Sequence, residues 1–479
     1  MGQQEENHVK MDTNQSEKKI DYKNKIVLAP MVKIGTLATR LLALQYGADL
    51  VYTEEIIDFK FLRTYRHENE ILGTVDFIDK YNGIIVFRTC PKLEKGKVVL
   101  QLGTANAERA LKVAKMVEND VAAIDINMGC PKEFSLKGGM GAALLTDPER
   151  AKSILNLLVE NLKIPVTCKI RILNELDDTL KLAKELQSTG ISAIGVHGRR
   201  KHERPQHANN PGAIRKIAEH LTIPVIANGG SRDIETYNDI LKFRDECGAT
   251  SVMIARAAEW NTSIFRKEGK LPLDEVITEY LKFCIEYDSS PNITKYCVQM
   301  MLRELQETPR GKKFLECQTL DEICDIWNLG DYCRQKQREF EERGMHIRRN
   351  CVPDSEVRKQ ADDTCADDGP SAKRLKPFND PNIYTRNVAY YRAHYTHENM
   401  PKVILHAHAR KKGLNMPTYS TTQEDRLFQT IITFQDQKYA SSYWEKNKRF
   451  AEQGAALVCL LKLGLVNKED LIKNGSLTK

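Results

Sequence analysis

Short apolar runs alternate with amphipathic segments along the first half of the chain. Between most runs the apolar residues recur at helical spacing, as in Ala107–Glu118 and Asp178–Gln187. Strands joined by helical crossovers predict an α/β fold, a (β/α)8 TIM barrel. An open doubly wound sheet is the alternative, but Ala29-Pro30-Met31 ends the first run without the Gly-rich fingerprint usual there. The eight predicted strands are Ile26–Ala29, Leu50–Thr53, Val98–Leu102, Ala123–Asn127, Val166–Arg171, Ala193–His197, Val225–Asn228 and Ser251–Ala255.

The pattern changes twice beyond the barrel. A stretch with helical spacing and no strands predicts a small helical domain, and the polar stretch after it predicts a linker. The last part of the chain shows a helix (Pro401–Lys412), three strands and a long helix (Trp444–Leu463), which predict an α+β (α-β-β-β-α) domain. The predicted divisions are a disordered N-terminus at 1–22, the barrel catalytic domain at 23–271, the helical domain at 272–345, the linker at 346–375, the α+β domain with an N-terminal extension at 376–466, and a tail at 467–479.

Charge is distributed unevenly along the chain. The net charge is +7, yet residues 373–479 alone hold 18 Lys and Arg against 9 Asp and Glu. This concentration of positive charge predicts a module that binds a polyanion. The 12 cysteines show neither a CxxC pair nor zinc-finger spacing, which favours a reducing compartment and no metal site. Without an apolar run long enough for a bilayer, or a signal peptide, we expect a cytoplasmic protein without membrane contact.

The stretch from Ala123 to Leu145 carries the most distinctive chemistry. Cys130 follows a predicted strand by two residues, on the loop where α/β barrels place catalytic groups. Lys132 and Lys137 flank it and could attract an anionic substrate. Asp147-Pro148 then predicts the start of a helix. A buried structural cysteine beside a flexible turn is the simpler interpretation, and only the other strand ends can decide between the two.

Those strand ends describe one pocket. Lys169 and Arg171 alternate on one strand, so both point to the same face and require an anionic partner. Glycine-rich turns after the last strands are typical of a phosphate site in such barrels. Because the chain lacks GxxxxGK[ST], the pattern suits FMN better than a nucleoside triphosphate. The strand-end residues are Pro30, Met31, Val32, Lys33, Glu54, Glu55 (one of the two glutamates pointing inward), Gln101, Lys169, Arg171, His197, Arg199, Asn228, Gly229, Gly230, Ala255 and Arg256.

At these residues the sequence resembles the tRNA-dihydrouridine synthase family over residues 24 to 345. The C-terminal unit resembles a double-stranded RNA-binding domain. The motifs that carry the family resemblance are Ala29-Pro30-Met31, Asn127-Met128-Gly129-Cys130-Pro131-Lys132, Lys137-Gly138-Gly139-Met140-Gly141-Ala142, Lys169-Ile170-Arg171, Val196-His197-Gly198-Arg199 and Ala227-Asn228-Gly229-Gly230.

The resemblance implies reduction of a uridine in tRNA, at position 20 of the D loop. NADPH would reduce FMN, the flavin would deliver a hydride to C6, and Cys130 would donate the proton to C5. The FMN contacts implied are Pro30, Met31, Val32, Lys33, Glu55, Gln101, Lys169, His197, Asn228, Gly229, Gly230, Ala255 and Arg256. The substrate and RNA contacts expected are Asn127, Lys132, Lys137, Arg171, Arg199, Arg386, Arg392, Lys446, Lys448 and Arg449.

Three alternatives stay open at this point. A flavin barrel of this kind could act on a free pyrimidine, or the barrel could be inactive and the chain an RNA-binding module. The tyrosine- and arginine-rich segment that holds Arg386 and Arg392 could add an RNA contact, or its tyrosines could pack on the domain.

Overall fold

The computed structural model describes residues 20–204, 206–345, 382–391, 394–395, 399–424, 427–445, 448–473 and 476–477. Described residues up to 345 belong to one compact unit, and those from 382 belong to a second. Arg392, Lys446, the predicted linker and nearly all of the predicted N-terminal segment lie outside the described residues. In the described part of the chain, no helix has the length and apolar character needed to cross a bilayer.

Eight parallel strands close into a barrel in the first unit. The barrel order is β1-β2-β7-β8-β9-β10-β11-β12, and β12 pairs back with β1. Each predicted barrel strand is confirmed to within one residue at either end, and closure excludes the open sheet. The strands of the unit are β1 (Ile26–Leu28), β2 (Leu50–Tyr52), β3 (Ile56–Ile57), β4 (Thr64–Asn69), β5 (Thr74–Asp79), β6 (Ile85–Thr89), β7 (Val98–Gly103), β8 (Ala123–Met128), β9 (Val166–Arg171), β10 (Ala193–His197), β11 (Val225–Asn228) and β12 (Ser251–Ile254).

An insertion between β2 and β7 was not predicted from the sequence. It forms a separate antiparallel sheet in the order β4-β5-β6, and the short β3 pairs with the end of β7. The strand β4 reads TYRHEN and is largely exposed, so it lacks the apolar run by which the barrel strands were recognised. Its partner β5 buries Val75 and Phe77 in the main core.

Helices surround the barrel and continue beyond it. The predicted helix after Asp147 is confirmed, and the Asp147 side chain caps it by accepting the Arg150 N–H. The helices of the unit are α1 (Leu37–Gln45), α2 (Asp58–Leu62), α3 (Pro91–Glu94), α4 (Ala107–Val117), α5 (Glu133–Lys137), α6 (Pro148–Asn161), α7 (Leu176–Gln187), α8 (Pro211–His220), α9 (Tyr237–Glu246), α10 (Arg256–Trp260), α11 (Leu273–Glu286), α12 (Pro291–Leu302), α13 (Pro309–Glu316), α14 (Leu320–Asp325) and α15 (Gly330–Glu342), with 3-10 helices at Gly141–Thr146, Thr262–Phe265 and Arg303–Glu307.

The helical region from α11 onward shares the core of the barrel. Tyr280, Val298 and Phe314 belong to the same continuous cluster of buried residues as the barrel helices. A second, smaller cluster fills the barrel interior, where Tyr22, Tyr52 and the inward side chains of several strands meet. This inner layer closes one end of the barrel, so the polar side chains of the strands collect at the other end.

The second unit corrects two features of the sequence prediction. Its sheet has four strands in the order β13-β16-β15-β14, because the segment before the predicted domain adds β13 parallel to β16. Its long helix begins at Lys448 and not at Trp444, because Glu445 pairs with Phe428 in an isolated bridge before the helix. The elements are β13 (Ile383–Arg386), α16 (Pro401–Lys411), β14 (Thr418–Glu424), β15 (Leu427–Phe434), β16 (Gln437–Ser441), α17 (Lys448–Lys462) and α18 (Lys468–Lys473).

Candidate active site at the mouth of the barrel

The register of the strands stacks polar side chains in layers inside the barrel. Gln101 of β7 lies opposite Asp125 of β8. One step nearer the mouth, Asn127 of β8 lies opposite Lys169 of β9. At the outer end, Arg171 of β9 lies opposite His197 of β10. Since alternate residues of a strand share one face, the sequence fixes these layers once the strands are aligned.

The loop after β8 holds Cys130 in a defined position. Asn127 Oδ1 accepts the backbone N–H groups of both Gly129 and Cys130 at 2.9 Å. The Cys130 carbonyl accepts the Ala142 N–H at 2.9 Å, which closes the loop. Gly141 has a φ of +58°, and a side chain there would overlap the Cys130 carbonyl. The glycine therefore allows the tight closure that keeps the cysteine at the mouth.

The Cys130 thiol lies beside a carboxyl group. Glu55 faces it within hydrogen-bonding range, whereas Glu54 accepts the backbone N–H of Lys33 at 2.9 Å. Of the two adjacent glutamates, Glu55 is thus the one that points to the pocket. Burial raises the pKa of the Cys130 thiol, and the Glu55 charge raises it further. Burial also raises the pKa of Glu55. The thiol is therefore protonated at neutral pH, as a proton donor must be.

Basic side chains converge on the same pocket. Burial lowers the pKa of Lys169 to about 8, and the charge of Arg171 contributes to the decrease. The pKa of Arg171 is lowered to about 10 by burial and by Arg199. Burial and the neighbouring Arg256 lower the pKa of Arg199 in the same way. Because these cations destabilise one another, the pocket favours an anionic ligand.

His197 is neutral within this group. Burial lowers its pKa well below 6.5, and the surrounding cations, including Lys169 and Arg171, lower it further. Arg199 Nη1 lies 2.9 Å from His197 Nε2. Because a guanidinium can only donate, Nε2 is the acceptor and the imidazole proton is on Nδ1. His197 can therefore donate a hydrogen bond from Nδ1 without carrying a charge.

The turn after β11 is shaped as an anion site. Gly229 has a φ of +128° and Gly230 a φ of +65°, a conformation that favours glycine and can align successive N–H groups. The Asn228 amide donates to the Met253 carbonyl at 3.0 Å and fixes this turn to β12. Both amide atoms of Asn209, which packs against Gly229, are buried with no hydrogen-bond partner among the described residues.

The remaining predicted cofactor residues line the rim of the same mouth. Lys33 adopts a φ of +66°, and its ammonium group lies 4.9 Å from the ring centre of Tyr296. Val32 is 52% exposed. Arg256 begins α10 directly after β12, next to Ala255. Pro30 and Met31 are half-buried at the end of β1.

Two arginines expected to contact RNA have partners within the protein. Arg199 is buried and donates to the His207 carbonyl as well as facing His197. Arg171 donates to the carbonyl oxygens of Gly129 and Arg200 at 2.9 and 3.0 Å. Both arginines therefore hold loops of the pocket in position.

The other described candidates for RNA contact are on the surface. Lys132 and Lys137 are exposed beside the mouth, although Lys137 is paired with Glu133 at 2.7 Å. In the second unit, Lys448 and Arg449 are exposed at the start of α17. The exposed Arg386 stacks on Tyr384 at 4.6 Å, and Tyr390 of the same segment is buried in the core of the unit.

Comparison with known proteins places this arrangement in a family. The dihydrouridine synthase model matches residues 27–348, which span the barrel and the helical region. The chain belongs to the dihydrouridine synthase family. The model of the double-stranded RNA-binding motif matches residues 401–463, and the second unit is such a domain.

Curated relatives share this first unit. The chain is 41% identical over 294 residues to a Schizosaccharomyces pombe protein named tRNA-dihydrouridine(20) synthase [NAD(P)+], a match that covers 59% of this chain and 60% of that protein. A Saccharomyces cerevisiae protein of the same name is 37% identical over 300 residues, covering 59% of this chain and 78% of that one. The chain thus spans about three fifths of the length of the S. pombe relative.

Solved structures include a match to the second unit. A crystal structure of a variant double-stranded RNA-binding domain from human tRNA-dihydrouridine(20) synthase is 40% identical, covering 17% of this chain and 88% of that chain with a TM-score of 0.17.

Three side chains at this site were missed by the sequence analysis. Asp125 and Asn127 are the two polar residues of β8, and they share its inward face, a signal that the alternation of the strand could have shown. Ser135 is buried in α5 next to Gly141 and Cys130. Asn209 comes from a loop without periodicity, so the sequence carries no signal for it.

Proposed function

We propose that the protein reduces the C5–C6 double bond of a uridine in tRNA to dihydrouridine, with FMN as cofactor and NADPH as reductant. The observation that carries the proposal is a protonated thiol, Cys130, held near a buried group of cations in a member of this family. The names of the relatives support position 20 as the target.

The residues of the pocket fit a phosphate-bearing flavin. The consecutive left-handed glycines, Gly229 and Gly230, with Arg256 nearby, would hold the phosphate. Lys169 and Gln101 would face the ring system from inside the barrel. The pocket's mutually destabilised cations would be neutralised by such a ligand, which agrees with their lowered pKa values.

The chain's own residues supply the rest of the chemistry. Bound FMN supplies the hydride that C6 of the uracil accepts. The negative charge that develops on the uracil carbonyl oxygen would be stabilised by Lys169 and by the Nδ1–H of His197. Cys130 then gives its thiol proton to C5, which leaves a thiolate that must regain a proton before the next turnover.

The exposed basic residues would hold the RNA. A uracil within a folded tRNA must leave its stack to enter the pocket, so base flipping is part of the proposal. Double-stranded RNA-binding domains recognise the shape and 2′-OH groups of a helix, which suits a role in holding the helical part of a tRNA. We also propose the helical domain at 272–345 as a tRNA-binding surface.

An anaerobic half-reaction tests the proposal. Protein reduced with NADPH should return to its oxidised flavin spectrum when tRNA that lacks modifications is added, but not when free uridine is added. Return with free uridine would indicate a small-molecule enzyme. A colourless protein without flavin would indicate an RNA-binding module. Repeating the reduction with NADH measures the preference between the two nucleotides.

A further inference from the structure

Three polar side chains form a continuous chain of hydrogen bonds from the barrel interior to the Cys130 loop. Gln101 Nε2 donates to Asp125 Oδ2 at 2.8 Å, and Asn127 Nδ2 donates to Gln101 Oε1 at 2.9 Å. Asn127 Oδ1 accepts the N–H groups of Gly129 and Cys130. We propose that Asp125 is a positioning residue, which fixes the orientation of both amides and thereby the turn that carries Cys130.

The groups at the two ends of this series of hydrogen bonds determine which atom donates in each bond. At the outer end, two backbone N–H groups require an acceptor, so the oxygen of Asn127 must face them and its NH2 group must face Gln101. At the inner end, an ionised Asp125 has no hydrogen to give, so Gln101 must present its NH2 group there. The two requirements agree, and each amide has a single orientation that satisfies both of its neighbours.

The surroundings of Asp125 support an acceptor at this position. The Thr167 hydroxyl donates a hydrogen bond to Asp125 Oδ1 at 2.6 Å. The backbone N–H of Gln101 donates to the Thr53 hydroxyl oxygen at 3.0 Å. Burial raises the pKa of Asp125 to about 6, while the hydrogen bonds from Thr167 and Gln101 and the charge of Lys169 oppose that rise, so the carboxylate is the main form at neutral pH. A carboxylate here thus serves as the fixed acceptor at which the chain of bonds ends.

Moving the carboxylate from position 125 to position 127, the two ends of the hydrogen-bond series, tests the proposal. In Asn127→Asp, both ends are carboxylates, and Gln101 cannot satisfy the two at once. In the double variant Asp125→Asn/Asn127→Asp, the Gln101 amide can turn over, so that its two side-chain bonds form in the reverse direction while the backbone N–H groups of Gly129 and Cys130 still donate to residue 127. Asp125→Asn alone preserves the chain, because the new amide can accept from Gln101 while Thr167 rotates to accept from it.

The readouts are the thermal midpoint and the reactivity of the thiol in the full-length protein. We expect Asn127→Asp to lower the midpoint by roughly 3 °C or more, since a buried polar group loses its partner. The rate at which iodoacetamide alkylates Cys130, followed by peptide mapping among the 12 cysteines, should change severalfold. In the double variant, both the thermal midpoint and the alkylation rate should return most of the way to the wild-type values.

Asn106→Asp is the matched control. Asn106 Oδ1 also accepts a backbone N–H, that of Arg109 at 2.8 Å, but as a helix cap where Asp serves equally well. It should leave both readouts unchanged. A double variant as impaired as Asn127→Asp, or an Asn127→Asp protein with wild-type midpoint and thiol reactivity, would overturn the proposal.

A contribution of these hydrogen bonds to catalysis rests on the proposed function. The measurements of thermal midpoint and thiol reactivity do not. If wild-type protein fails to reduce uridine in tRNA, the proposed function falls while the recovery in midpoint and thiol reactivity still decides the role of Asp125. If uridine is reduced but the double variant shows no recovery, only the inference about Asp125 falls.

Discussion

Cys130 is suited to give a proton and not to attack as a nucleophile. A nucleophilic thiolate needs neighbours that lower its pKa, such as a cation or a helix N-terminus. Here burial and the Glu55 charge dominate and raise the pKa above its ordinary value of 9.0. This acidic neighbour thus favours the protonated form, which is the form that general acid catalysis requires.

Replacing Cys130 with alanine should separate chemistry from binding. We expect Cys130→Ala to retain flavin and tRNA but to reduce uridine about 10²–10⁴-fold more slowly, because a general acid is lost. Rapid-mixing measurements of flavin reoxidation by tRNA provide the rate. Cys130→Ser, with a much weaker acid at the same position, should also be slow. Reoxidation of the alanine variant at the wild-type rate would remove Cys130 from the mechanism.

The carboxyl of Glu55 should control the pH range of the same step. Because its charge raises the thiol pKa, Glu55→Gln should lower that pKa. The decline in reoxidation rate at alkaline pH, where the thiol becomes a thiolate, should then begin at a lower pH than in the wild type. Flavin content measured for each variant separates this effect from loss of cofactor.

Glu133→Gln is the control for the Glu55 variant. Glu133 is an exposed carboxylate on α5, three residues from Cys130, and it is paired with Lys137. Its replacement should not change the pH at which the reoxidation rate begins to decline on the alkaline side. If the reoxidation rate declines at the same alkaline pH in the wild type and in Glu55→Gln, then Glu55 and Cys130 do not interact in the working enzyme.

Individual side chains were predictable from sequence to different degrees. Lys169 and Arg171 share a face because strand alternation is strict. The choice between Glu54 and Glu55 needed the actual backbone after β2, since the strand ends at Tyr52 and its alternation does not extend to them. Arg199 was expected to contact substrate or RNA, and its burial against His197 could not be predicted because it depends on the fold of the loop after β10.

At the scale of elements, a buried ion pair joins α1 to the inserted sheet and α3. Arg40 and Glu94 are both buried, with Nε–Oε1 at 2.6 Å and Nη2–Oε2 at 2.9 Å. Arg40 also donates to the Gly35 and Arg88 carbonyl oxygens, and Thr89 donates to Glu94. Every strong donor and acceptor of the pair is thus matched, so either partner alone would be an uncompensated buried charge.

Glu94→Ala should therefore destabilise the first unit by about 3–5 kcal/mol, the usual cost of removing one partner of a buried pair. Urea unfolding followed by circular dichroism measures the loss. Glu68→Ala, which removes the exposed partner of Arg66, should cost about 1 kcal/mol or less. Equal losses in the two variants would contradict the importance of burial for this pair.

The extent to which an element is buried explains whether it could be predicted from the sequence. The barrel strands are covered on both faces and read as continuous apolar runs. The exposed β4 lacks such a run. The strand β13 was missed because the segment around it shows tyrosines and arginines in place of an apolar run, although Ile383 and the neighbouring Tyr390 are buried in the second unit. The start of α17 was misplaced because Trp444 and Glu445 continue a helical pattern, whereas Glu445 pairs with Phe428 of β15.

At the scale of the whole molecule, the two units carry different charge. The excess of Lys and Arg lies beyond residue 372. Each unit has its own buried core. Deleting residues 373–479 should therefore leave flavin content and NADPH reduction intact while turnover on tRNA collapses. Unchanged turnover on tRNA would show that the first unit binds its substrate without help.

Salt dependence can assign part of that binding to particular residues. If Lys448 and Arg449 each neutralise one phosphate, their joint replacement with alanine should lower the slope of log K against log salt by about 1.8 for a duplex. The affinity should fall most at low salt, because the released counterions contribute most there. The exposed lysines Lys216 and Lys242, on α8 and α9, provide a charge-matched pair of replacements that should leave the slope unchanged. Equal changes for both pairs would mean that net charge, and not contacts at the start of α17, attracts the RNA.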